Sequence, residues 1–487
     1  MNKIYNSVLR FVKENKLLVT TAVVAFLLLI PLLLLTLYAS PAGDDFQHSQ
    51  MMRSLLPSGY NLFQYSVIAL KYSFSIYRDM QGAFTINLLI ALNPLVYSLH
   101  SMPIVYILGF LFFIYANFSF SNALSKKILK GDIKTSLLIT SVISIATLQF
   151  LPLSESFYWY AGYVGYILPY ALALLFISNL IWIYNSKVLF LRSCVGVVLA
   201  FILGGTNFAL CLFLLALGVS VAAVSLLRRD KELLAVISMN LALLVGFIIN
   251  VMAPGNSTRM NWGFIKVSPV KAIIMSFWGS ALSVGHVLSY TFIIFFTIIL
   301  LIPVFKLIKN TSTSFRYPGL FSLISFCAIS TLFTPAFYTG IGEAMPTRYS
   351  NMTTMIIVWA LFINAFYWAG WALRNQKIEV ESLQKNVLLL ALMAIISLQV
   401  PLLGGNIDNF TSVKASREIV TEIVGNYRKE VNLMYSNFQN SVGKDVVFQI
   451  KTKPNSINPI NIAADKAFWG NTAIAKYFGL KSIRSGE

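Results

Sequence analysis

Apolar runs of about 20 residues recur from Leu17 to Leu403, broken by short polar, basic or aromatic stretches. Wound as an α-helix, a run of that length covers the roughly 30 Å hydrocarbon core of a bilayer. The pattern predicts eleven spans, at approximately 17–38, 103–124, 135–153, 163–184, 190–204, 206–226, 233–252, 274–305, 318–336, 351–372 and 386–403. The fifth is short and turns tightly into the sixth at Gly204–Gly205, while the eighth is long enough to tilt or to project beyond the bilayer. Residues 83–99 are also apolar. Counting them as a span would reverse the side of every later loop, so they are expected to form a helix lying at the interface or dipping inward, ended near Asn93–Pro94.

Composition agrees with this pattern. Of 487 residues, 57% are hydrophobic and 11% charged, against roughly 25% charged in soluble domains. The fold class is therefore an all-α polytopic membrane protein. Residues 1–403 make the transmembrane domain, with an outer loop and interfacial helices at 39–102. Residues 404–487 are of mixed polarity, with a helical pattern from Val413 to Phe438, a strand-like or irregular stretch from Val446 to Ile450, and Trp469, Tyr477 and Phe478 to close a small core. At about 80 residues such a region is marginal alone and is expected to lean on the membrane domain.

The formal charge of +19 does not imply nucleic-acid binding, because the cations fall in bursts between apolar runs. The bursts are Lys3/Arg10/Lys13/Lys16, Lys126/Lys127/Lys130/Lys134, Lys187/Arg192, Arg228/Arg229/Lys231, Lys306/Lys309/Arg316 and Arg374/Lys377/Lys385. On the cytoplasmic side they hold 19 Lys and Arg, against seven in the opposite loops, which places the N-terminus inside and the C-terminal region outside. The first run, Leu17 to Tyr38, reads as a retained signal anchor. Cys194, Cys211 and Cys327 sit in apolar stretches without metal-ligand spacing.

Candidate chemistry lies in five polar segments, all assigned to the outer side. Asp44–Asp45, after the first span, supply a general base and its partner, or metal ligands, or a helix cap. Arg78 suits a phosphate and Asp79 a sugar hydroxyl, unless the two are an interfacial pair. Glu155 precedes Tyr158, Trp159 and Tyr163, a mixture that fits a sugar platform or an interfacial aromatic belt. Asn256 and Arg259 follow the helix-stopping Pro254–Gly255, with Arg259 suited to a lipid-linked phosphate. Glu343 and Arg348 form a salt pair or divide the work between sugar and phosphate. The span centres are nearly free of charge, unlike ion-coupled transporters with mid-span sites.

With Asp44–Asp45 after a long first span, the chain resembles integral-membrane glycosyltransferases of the GT-C superfamily. Its Asp-Asp-Phe loop, Phe-Tyr-Trp-Tyr-Ala-Gly-Tyr at 157–163, Ala-Pro-Gly-Asn with its arginine at 253–259 and Pro-Thr-Arg at 346–348 are similar, in order, to a bacterial multispan family within it, some members of which are linked to surface polysaccharide decoration. The resemblance covers roughly residues 17–403. It implies a GT-C-like bundle in a bacterial plasma membrane and a polyprenyl-phosphate-linked sugar as donor. The implied acceptor is a cell-surface glycan, teichoic acid or lipid-linked saccharide. Asp44 or Asp45 would then be the base and Arg259 or Arg348 the phosphate ligand, with inversion at the anomeric carbon. No cofactor is firmly implied, and a divalent metal is optional. The alternative is a non-catalytic transporter or flippase of lipid-linked saccharides.

Overall fold

The computed structural model describes residues 12–261, 266–290, 313–342, 344–375 and 407–486, with isolated positions between 291 and 312. Helices dominate. Seven are long and apolar enough to cross a membrane: Lys16–Leu35, Leu99–Leu129, Tyr160–Ile183, Phe208–Arg228, Leu233–Val251, Pro269–Ser289 and Thr347–Arg374. Shorter apolar helices at Ile133–Leu148, Leu189–Gly204 and Pro318–Thr331 stand where three further spans are expected. The expected span at 386–403 lies outside the described residues, as does most of 291–305 at the end of the one at 274–305. The structure thus bears out a multi-pass helical protein, and the expected count of eleven stays an expectation.

Hydrogen bonds between loops sort the helix ends into two groups. At one end, Asn250 Nδ2 donates to Gly204 O and Thr206 O, Asn207 Nδ2 to Gly165 O, and Asn351 Nδ2 to Pro152 O. At the other, Lys127 Nζ donates to Tyr184 O, the Tyr184 and Ser225 hydroxyls pair, and Asn185 N donates to Glu232 Oε1. Arg374 bonds the Thr311 carbonyl there and Tyr367 that of Arg316. Described members of the bursts, among them Lys127, Lys130, Arg192, Arg228 and Arg374, therefore collect at the second end, and Trp182 lies between Lys127 and Arg192 at 5.1 and 5.4 Å. An open cavity of about 620 Å³ at that end is lined by Lys130, Asp132, Thr135, Pro303 and Lys306.

The stretch at 83–99 holds short helices and, up to Ser98, lies outside the seven long apolar ones. The helix Phe84–Ala91 is only eight residues long, about 12 Å, and it stops where Asn93 caps a tight turn with Pro94 at its first position. Ahead of it, Asp44–Leu55 and Leu62–Asp79 make a helical pair, the latter opened by a reciprocal Asn61–Gln64 cap.

The C-terminal region contains helices Thr411–Val420, Ile423–Gln439 and Trp469–Phe478, with a two-stranded parallel sheet pairing Asp445 with Ser482, Val446 with Ile483 and Val447 with Arg484. The helical pattern read from Val413 to Phe438 is two helices, separated by Glu422 in the left-handed region. The region does lean on the membrane domain. Thr411 Oγ1 donates to Leu151 O, Ser412 bonds the carbonyl of Leu28, and Tyr477 donates to Leu95 O. Phe46 packs edge-on against Tyr477 at 5.1 Å and touches Phe478.

Candidate functional site

The two aspartates open one helix yet face different surroundings. Gly43 is the N-cap of Asp44–Leu55 at φ 39°, a conformation that costs a residue with a Cβ roughly 1–2 kcal/mol. Asp45 is 1% exposed, its Oδ2 accepting from Ala42 N at 3.2 Å and its Oδ1 from Ala161 N at 3.1 Å. Ala161 stands in the first turn of Tyr160–Ile183, where backbone N–H groups have no partner within the helix. Asp45 thus caps, from a distant loop, the start of another span, and the partial positive charge there favours it. Burial still pushes its carboxyl up to about 8, with Asp44 adding to the rise and the amides of Ala42 and Ala161 opposing it.

Asp44 is half-buried and lies in the field of two cations without forming an ion pair with either. Burial raises its pKa above the usual carboxylate range, while the Arg348 and Arg259 guanidinium groups pull the other way. Arg348 lies in the first turn of Thr347–Arg374, where the helix dipole disfavours a cation. Its neighbours answer that penalty. Nη1 donates to Glu155 Oε2 at 2.9 Å, and the guanidinium sits 4.9 Å from the Trp159 ring and 5.8 Å from that of Tyr166. Tyr166 belongs to a π-helical turn, Tyr163–Ile167.

Arg259 arrives by a separate route. Asn250 ends the seventh expected span, and Asn256 Nδ2 donates to its carbonyl at 2.7 Å. Asn256 Oδ1 accepts from Gly82 N at 2.9 Å, and a Cβ on Gly82 would stand 1.8 Å from Asn250 O. This close approach locks the 80–82 turn onto the helix Gly255–Met260. Gln81 then accepts from Arg259 and donates to the buried Asn87 at 3.0 Å.

The structure therefore gathers Asp44, Asp45, Glu155, Trp159, Arg259 and Arg348 at one end of the bundle. Asn256 is there too, with its amide engaged by backbone. Arg78 and Asp79 form a bidentate pair, 2.7 Å at the shortest, with side chains 63% and 57% exposed, and Asp44's charged neighbours do not include them. Tyr158 and Tyr163 are buried, donating to Leu32 O and Gly109 O. Neither presents the accessible ring face that a sugar platform needs. Glu343 lies outside the described residues. Gln81, Tyr166 and Trp469 join the site in the structure, and the sequence signal for Gln81 is its place beside Arg78–Asp79 in an apolar region.

The donor set fits a divalent metal poorly. Both Asp45 oxygens accept backbone N–H, and among the described residues no group of three His, Cys, Asp or Glu converges. His48, buried and hydrogen-bonded to the Tyr72 hydroxyl at 2.7 Å, is driven down to about 4 by burial and stands neutral.

Comparison with protein-family models, curated proteins and solved structures returns no match. The functional reading rests on the site.

Proposed function

We propose that this protein is a GT-C-like glycosyltransferase of a bacterial plasma membrane, moving a sugar from a polyprenyl-phosphate donor to an acceptor on the outer face. The observation that carries the reading is that Arg259 and Arg348, from two distant segments, both act electrostatically on the half-buried Asp44. A carboxylate in the field of two permanent cations suits displacement at a sugar phosphate. The acceptor O–H gives its proton to Asp44 as its oxygen attacks the anomeric carbon. The bond from that carbon to the phosphate oxygen breaks, and the polyprenyl phosphate departs with one more negative charge. Arg259 and Arg348 neutralise that charge as it develops, with inversion at carbon. Asp45 takes no part in this step and holds the loop.

The basic bursts at the opposite end support an orientation with that end cytoplasmic and both Asp44 and the C-terminal region outside. The test is sugar transfer from undecaprenyl-phosphate sugars by purified wild type and its Asp44→Asn and Asp45→Asn variants. Movement of lipid-linked sugar across a liposome bilayer without donor consumption would replace this reading with a flippase.

A further inference from the structure

The Asp44 loop has a second wall, supplied by the C-terminal region. Trp469 opens the helix Trp469–Phe478, and its indole lies over Gly43, with Cη2 2.5 Å from where a Cβ on that glycine would stand. The ring thus abuts the residue that caps Asp44. It is nevertheless 48% exposed, which leaves a large part of this aromatic side chain uncovered beside the N-cap of the Asp44 helix.

The indole is not what fastens this helix. Tyr477 and Phe478 pack on Phe46, Tyr477 donates to Leu95 O, and Arg53 lies 4.2 Å above the Tyr477 ring. The loop ahead of Trp469 is fixed independently. The buried Asn471 donates to Ala463 O and Asp465 O at 2.8 Å and accepts from Ala463 N at 3.0 Å, and Asp465 Oδ1 accepts from Ala467 N. Phe468 buttresses the indole at 5.6 Å. The face is held in place at little further ordering cost, as a binding platform requires.

The other aromatics at the site are engaged, since Trp159 and Tyr166 flank the Arg348 guanidinium. A lipid-linked donor arrives from the membrane with its phosphate on the arginines. The acceptor must approach Asp44 from elsewhere, and Trp469 reaches Gly43 from the C-terminal region. Building on the glycosyltransferase reading, we infer that Trp469 is the stacking platform for a pyranose ring at the reacting end of the acceptor. The axial C–H face of such a ring matches an exposed indole, whereas a polyol phosphate chain presents no such face. The acceptor is therefore a saccharide and not a poly(glycerol phosphate).

The test is a calorimetric titration of purified full-length protein, without donor, with methyl glycosides and disaccharides of glucose, galactose, rhamnose and N-acetylglucosamine. Wild type binds at least one, Trp469→Ala weakens it about tenfold or more, and Trp469→Phe weakens it less. Melting temperatures of both variants stay near wild type, and in the transfer assay the acceptor KM rises while the donor KM does not. No saccharide bound by wild type, equal binding by Trp469→Ala, or transfer to poly(glycerol phosphate) indifferent to Trp469 each overturns the inference. Saccharide binding that depends on Trp469, without any transfer, keeps the platform and sinks the transferase alone.

Discussion

Asp44 feels the charges of Arg259 and Arg348, while Asp45 meets neutral amides and the charge of its neighbour. Substituting each by asparagine should have unlike effects. Asp44→Asn should lower transfer by about 10²–10⁴-fold, the range of a lost general base, with melting temperature preserved. The rate should also rise with pH as Asp44 loses its proton, with a midpoint above the usual carboxylate range. Arg348→Gln removes a charge that holds this midpoint down, so the acid limb should move to higher pH, read from kcat/KM profiles of both forms. An unmoved limb would mean that the limb does not report Asp44. For Asp45 the linkage runs through stability. Its folded pKa of about 8 lies above the unfolded value near 3.9, so its contribution is complete below about pH 4 and is lost as pH rises towards about 8. The wild-type melting temperature should fall more steeply between about pH 5 and about pH 8 than that of Asp45→Asn.

Several elements place their ends against their own local preferences. A cation opens Thr347–Arg374, and a glycine at positive φ opens Asp44–Leu55. Such departures fall at the site because neighbouring segments compensate them there. Gly43→Ala meets both the strained φ and the indole of Trp469, so it should lower the melting temperature and transfer together, whereas Gly59→Ala, whose added Cβ meets nothing within 4 Å, should cost stability through φ alone with transfer retained. Much of this was legible in sequence. The stop at Asn93–Pro94 needed only a proline and a cap, and five polar segments on one side followed from the charge asymmetry. The division between Asp44 and Asp45 was not legible, because Asp45's partner Ala161 is a backbone amide, 116 residues away, that leaves no mark in side-chain type. Tyr158 and Tyr163 read as a platform for a related reason. An aromatic cluster has the same composition whether its hydroxyls face solvent or the carbonyls of Leu32 and Gly109.

Across the whole molecule, charge separates the two ends. The described residues of the basic bursts gather at one, and the acids and arginines of the site at the other. The C-terminal region belongs with the second end, joined through Leu28, Gln149, Leu95 and Phe46. Removing residues 407–487 would expose Phe46, now fully buried, and uncover the side of the first span on which Thr411–Val420 packs, so the truncated chain should lose monodispersity in detergent and melt lower. An unchanged melting curve would show a dispensable appendage. The central claim is that Asp44 and its two arginines perform a sugar transfer. The most direct measurement is donor consumption from undecaprenyl-phosphate sugars, with wild type and Asp44→Asn purified alike. The account predicts product with wild type and its near-complete loss in the variant, while both still bind undecaprenyl phosphate. Equal turnover by the two proteins would contradict it.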